Sequence, residues 1–177
     1  MTKVIPTVKS ALSKAAVLAK PASKSKPPKQ AKPPSPEAFR SWLSVVRAYN
    51  QCDVVLSQRL APLGIRVAEH EVLANLLRSP GITQQELASR CFAAKSGISV
   101  LLKRMEEQEL VRRDADASDA RAKRLNLTAS GEALARQSIA IQGEVITVME
   151  SELTRAELLA TQEVMDRLAV RLALLGG

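Results

Sequence analysis

The sequence predicts a mainly α-helical fold with one small β-hairpin. Three observations carry this expectation. Hydrophobic residues make up 46% of the 177 residues but aromatics only 2%, so the core must be aliphatic, and Leu and Ala suit helix packing better than a sheet. From Phe39 onward apolar residues recur at helical spacing, interrupted at Pro62–Gly64 and Ser79–Gly81. Only Leu110–Arg113 and Arg124–Leu127 alternate as strands do.

Residues 1–36 stand apart. They hold seven of the nine prolines and eight lysines with no acid. Proline removes backbone donors and unopposed lysine charge resists burial, so this segment is expected to be a disordered arm. It serves either as a solubilising extension or as a phosphate-binding arm. The eight lysines account for the whole net charge of +8, leaving 18 basic against 18 acidic residues in 37–177. Any nucleic-acid surface on the folded part must therefore come from local clustering.

The first helix is expected from Phe39, with Trp42, Val45, Val46, Tyr49, Cys52, Val54, Leu56 and Leu60 on its inward stripe and Pro62 and Gly64 ending it. A second runs from about Glu69 to Arg78 over Val72, Leu73, Leu76 and Leu77. Thr83-Gln84-Gln85-Glu86 has the form of a capping box and opens a short third helix. After a Phe92-Ala93-Ala94 turn, a fourth turns Ile98, Leu101, Leu102 and Met105 inward. The two strands follow, joined by the polar DADASDARAK loop. Thr128 caps a long fifth helix, and a second capping box, Thr154-Arg155-Ala156-Glu157, opens the last.

Several function classes fall away. Cys52 and Cys91 are separated by 38 residues and have no CxxC partner, so neither a disulfide framework nor a zinc site is expected, and no cofactor is implied. A lone histidine and the absence of nucleophile or phosphate-loop motifs argue against an enzyme. No apolar run approaches the roughly 18 residues of a membrane helix, so a soluble cytoplasmic protein at the bacterial nucleoid, without a membrane partner, is expected.

A capped short helix, a turn, a second helix and a hairpin make a winged helix-turn-helix over residues 63–127. The outward positions of its second helix, Lys95, Ser96, Ser99 and Lys103, can enter a major groove and reach base edges or phosphates; a merely solvated face is the other reading. Residues 37–62 and 128–177 carry stripes too apolar for lone surface helices, so they are expected to form a dimer. A two-fold would place the recognition helices about 34 Å apart, over a palindrome of about 16–20 base pairs.

KSGISVLLKRMEEQELVRR followed by DASDARAKRLNLTASG resembles the MarR family of bacterial regulators, and Asp119-x-Arg121-x-x-x-Leu125-x-Leu127-Thr128 resembles its wing signature. The resemblance implies a MarR-like homodimer with flanking dimerisation helices, usually a repressor of a double-stranded DNA operator. It makes Arg121 the wing-tip arginine for the minor groove, held extended by Asp119, with Lys123 in the same DNA-facing set. Thr83 and Gln84 would meet phosphate through backbone amides.

Two departures bear on this. Glu109 stands where the family usually has glycine; a left-handed backbone would cost Glu about 1 kcal/mol, so a different turn is expected. Val100 replaces a polar reader and can at most touch a thymine methyl.

The family commonly senses small aromatic acids in a cleft beside the dimer helices. His70 would face that cleft as a donor, or be a structural histidine; Tyr49 is either an effector contact or plain core; Arg40 is either a cation for the acid or a surface charge. The stretch SWLSVVRAYNQCDVVLSQRLAPLGIRVAEHEVLANL is also similar to MarR-type repressors of nicotinate degradation, which implies a hydroxylated pyridine carboxylate. The alternatives are a redox switch at Cys52, disfavoured because an apolar stripe raises a thiol's pKa, and an architectural DNA-coating protein using the basic arm.

Overall fold

The computed structural model describes residues 33–91, 95–116 and 123–175, side chains at 95 and 96 excepted. The arm over residues 1–32, the Phe92–Ala94 turn, and Asp119 and Arg121 lie outside the described residues. Among the described residues six α-helices and two strands follow in order: α1 (Pro36–Leu60), α2 (Val67–Arg78), α3 (Gln84–Arg90), α4 (Lys95–Glu107), β1 (Val111–Ala115), β2 (Lys123–Leu127), α5 (Ala129–Ser151) and α6 (Arg155–Ala173). They form two compact units. One spans Val45–Val148; the other holds the described residues up to Ser44 together with those from Met149 onward.

Helix α1 begins at Pro36, inside the segment expected to be a disordered arm. Proline at the first helical position loses no hydrogen bond and has the right φ, and Ser35 Oγ accepts from the Ala38 amide at 3.2 Å. At the far end a 3-10 turn, Ala61–Leu63, leads to Gly64 in the left-handed region at φ 71°. Helix α2 starts two residues earlier than expected, because Glu69 is a first-turn residue whose carboxylate accepts from the Arg66 amide at 2.8 Å. Both expected capping boxes form, at Thr83–Glu86 and Thr154–Glu157.

The turn after α4 keeps a left-handed residue without glycine. Glu109 has φ 56°, so the expectation of a different turn is corrected. Its amide donates to Glu106 O and that of Leu110 to Met105 O, both at 2.9 Å, the paired bonds of a Schellman ending. The Glu109 carbonyl also accepts from Thr128 Oγ1 at 2.6 Å and Ser130 Oγ at 2.9 Å. These bonds offset the roughly 1 kcal/mol of αL strain.

Strands β1 and β2 pair antiparallel with Val111 opposite Leu127 and Arg113 opposite Leu125. The segment before α3 adds a third edge: the Gly81 amide donates to Leu125 O and the Leu125 amide to Ile82 O, each at 2.9 Å. Thr128 Oγ1 caps α5 by accepting from the Gly131 amide at 3.0 Å. Gly131 is required there, since a Cβ would lie 2.0 Å from the Leu110 carbonyl oxygen.

The core of the Val45–Val148 unit is aliphatic, as expected. Leu56, Leu60, Val72, Leu73, Leu76, Leu87, Ile98, Leu102, Met105, Val111, Leu125 and Leu127 are all buried in it. The first helix departs from expectation, because only Leu56 and Leu60 of its stripe are buried. Trp42, Val45, Tyr49 and Val54 are exposed within the single chain.

Candidate nucleic-acid interface

Helix α4 is sharply two-sided. Ile98, Leu102 and Met105 are fully buried against α2, α3 and the strands, while Ser99, Val100 and Lys103 face solvent. The spacing of three and four residues fixes which side is which. Val100 is 73% exposed, an unusual placement for an aliphatic residue on a helix whose other face has a full core. Lys103 reaches Glu107 one turn on, at 3.9 Å. Lys95 and Ser96 lie in the first turn of this helix.

A polar network joins this face to its neighbours. Gln84 Nε2 donates to Ser99 Oγ at 2.6 Å, and Arg113 Nη1 donates to Gln84 Oε1 at 3.0 Å. Arg113 Nε also pairs with Glu106. The start of α3, the outer face of α4 and strand β1 are thereby tied together. Arg124 does the same on β2, pairing with Asp116 and donating to the Gly81 carbonyl at 3.2 Å. Sequence reasoning missed Arg113 and Arg124. For Arg124 the signal was the strand alternation that buries Leu125 and turns its neighbour to the other face; Arg113 shares the face of Val111 and Leu125, so alternation gave no signal for it.

The other expected DNA residues fare differently. The Thr83 amide is taken by Glu86 Oε2 at 2.7 Å, and the Glu86 amide by Thr83 Oγ1 at 3.2 Å. The backbone and hydroxyl bonds from Thr83 hold the Glu86 carboxyl below its usual range, so this helix start already carries a negative charge. That leaves less for a phosphate than the sequence suggested. Lys123 opens β2 opposite Ala115 and is exposed.

The expected effector residues do not behave alike. His70 is 1% exposed, with Nδ1 3.0 Å from Ser138 Oγ of α5. Burial pushes its pKa down; Gln142 opposes the shift and Arg78 adds to it. It is therefore a neutral interior histidine joining α2 to α5, which corrects its expected place facing an open cleft. Tyr49 is 68% exposed in the single chain, against its expected inward position. Arg40 pairs with Glu37 at 2.8 Å on an exposed face of α1.

Beside His70 lies a buried charge with no counterpart in the sequence reading. Glu69 is 1% exposed and pairs with Arg104, which reaches across from α4. Cys52 is half-buried on α1, and Cys91 is buried at the end of α3. Burial, with the Glu71 charge adding, pushes the Cys91 thiol up to about 11. Such a thiol is a poor redox nucleophile at neutral pH. Among the described residues no three metal-ligating side chains converge, and no helix is long and apolar enough to cross a membrane.

Comparison with known proteins places these features. Residues 63–122 match the MarR family. The HTH-type transcriptional repressor Rv2887 of Mycobacterium tuberculosis is 34% identical over 86 residues, 49% of this chain and 62% of that protein. The aligned stretch thus spans under two thirds of that relative. Among solved structures, AbsC, a MarR family transcriptional regulator from Streptomyces coelicolor, superposes with a TM-score of 0.74 at 23% identity, covering 81% of this chain and 99% of AbsC. A mutant MarR from E. coli complexed with operator DNA gives 0.66 at 22% identity, covering 75% and 95%. Rv2887 in complex with salicylic acid gives 0.56 at 24%, covering 77% and 97%. These likenesses establish the winged-helix fold.

Proposed function

We propose, from a chain whose residues 63–122 match the MarR family, that this protein is a DNA-binding transcriptional regulator and not an enzyme. It acts as a repressor that a small aromatic acid releases from its operator. The observation that carries this reading is the outer face of α4. Ser99, Val100 and Lys103 stand clear of a helix whose opposite side is wholly buried. Such a helix enters a major groove while the adjoining hairpin reaches the next minor groove. Lys95, Ser96, Ser99 and Lys103 supply hydroxyl and cationic contacts, Val100 meets a thymine methyl, and Asp119, Arg121 and Lys123 serve the minor groove.

A second copy of the chain completes the operator-binding unit, with residues 37–62 and 128–177 forming the dimer and residues 1–36 adding sequence-independent affinity. Support for the effector comes from Rv2887, which has been solved with salicylic acid. A benzoic or hydroxylated pyridine acid is the corresponding ligand class here, and Tyr49, exposed on α1, is the candidate contact that stays accessible to it. Full-length protein should prefer a selected duplex over random duplex by at least about 10³. Salicylate should weaken that binding. Equal affinity for both duplexes would make the protein a DNA-coating factor instead, and indifference to salicylate and to pyridine carboxylates would remove the effector reading.

A further inference from the structure

We infer that Arg113 and Gln84 fix the polarity of the Ser99 hydroxyl, so that Ser99 meets DNA as a hydrogen-bond donor and selects bases with an acceptor edge. This deepens the DNA-binding reading above and rests on it. The reasoning starts from Arg113, whose guanidinium has donors only. It spends Nε on Glu106 and Nη1 on Gln84 Oε1 at 3.0 Å. The Gln84 oxygen must therefore face Arg113, and its NH₂ must face Ser99 Oγ, 2.6 Å away. That NH₂ occupies a lone pair on Ser99, so the Ser99 proton cannot point back at Gln84.

The anchoring pair is sheltered, with the Arg113 and Glu106 side chains about one third exposed, whereas Ser99 itself is exposed beside Val100 and Lys103. The fixed orientation is thus transmitted from a partly exposed ion pair to a solvent-facing hydroxyl. In the major groove, guanine offers N7 and O6, adenine N7 and thymine O4 as acceptors, while cytosine offers only its amino donor. Ser99 can accordingly donate to the first three, whereas cytosine can use only its second lone pair, so cytosine is the disfavoured base at the position it faces. Arg113 is a positioning residue in this scheme. Without it the Gln84 amide can turn over and take the Ser99 proton for itself.

The test is a base-preference profile. The full chain selects its preferred duplex from a random library, and every single-base variant of that duplex is then titrated. Ser99→Ala should flatten the preference at one position per half-site, by up to about tenfold. Gln84→Glu, which presents only oxygens to Ser99, should flatten the same position although the serine is still present, and Arg113→Gln should do so partially. At a purine in that position, 7-deaza substitution should weaken the wild type and leave Ser99→Ala unaffected. Circular dichroism and melting confirm folding, and Gln84→Glu and Arg113→Gln stand in for each other should one not fold. A uniform loss of affinity across all positions, or an unchanged profile in Gln84→Glu, overturns the inference while leaving DNA binding intact. If the wild type enriches no sequence, the DNA reading itself fails and takes this inference with it.

Discussion

His70 shows how burial decides what a single residue can do. As the only histidine in the chain it was the natural candidate for an effector contact, yet it lies inside the protein with one ring nitrogen on Ser138. Charging it there costs desolvation, which is why its pKa is lowered. The folded protein stays neutral at His70 below the pH, about 6.5, at which the unfolded chain takes up the proton. The unfolded state then binds more protons, so stability must fall as pH drops below about 6.5 and be flat above it. Melting temperatures between pH 7.5 and 5.5 should show this decline in the wild type. His70→Gln should be less stable at pH 7.5 but nearly flat across the window. Parallel declines in both proteins would assign the pH sensitivity to other groups. Glu109 makes the converse point: the residue type argued for a changed turn, and the bonds to its amide and carbonyl preserved the old one.

At the scale of elements, local chemistry was legible and long-range partnership was not. Capping boxes, the Pro-Gly stops and the period of the buried stripes place all six helices and both strands to within a few residues, because each signal lies within one or two turns of the feature it sets. The outward placement of Ser99 and Lys103 on α4 followed from the same periodicity. The Gln84–Ser99–Arg113 network, the Arg124 tether and the Glu69–Arg104 pair were not foreseen, since each joins elements whose docking a single sequence does not display. Glu69 read as a helix start because capping and ion pairing use the same carboxylate.

That double use makes the pair asymmetric. Removing Arg104 leaves a carboxylate 1% exposed with only the Arg66 amide to stabilise it, so Arg104→Ala should cost about 3 kcal/mol. Glu69→Gln retains an oxygen for the cap and leaves Arg104, two-fifths exposed, in contact with water. Its cost should be near 1 kcal/mol. Urea midpoints of the two variants measure the difference, and a larger loss for Glu69→Gln would mean that the arginine, not the carboxylate, is the stranded charge.

For the whole molecule the informative feature is apolar surface that a lone chain leaves in water. Within the unit formed by the chain's described ends, Phe39 and Trp42 on α1 and Leu159, Leu168 and Leu172 on α6 are each about half exposed or more. Phe39 and Trp42 stack at 5.8 Å yet remain open to solvent. Large apolar side chains left exposed in this number mark interfaces, and an apolar face repeated on each of two copies is what a two-fold dimer requires. The stripe that looked like core in the sequence is therefore expected to be core only in the dimer.

Leu168→Glu with Leu172→Glu should give a monomer by sedimentation equilibrium that keeps its helicity and its buried winged-helix core. Its affinity for a full palindrome should fall to its affinity for a half-site, a loss of about 10²-fold or more as the second contact ceases to be intramolecular. The salt dependence should shrink with it, because the slope scales with the number of phosphates engaged at about 0.9 each, and one copy engages half as many. Deleting residues 1–32, which leaves the Ser35 cap of α1 in place, should lower the slope for random and selected duplexes alike and leave the palindrome preference unchanged. A double variant that remains dimeric, or that binds half and full sites as the wild type does, would move the dimer contact away from α6.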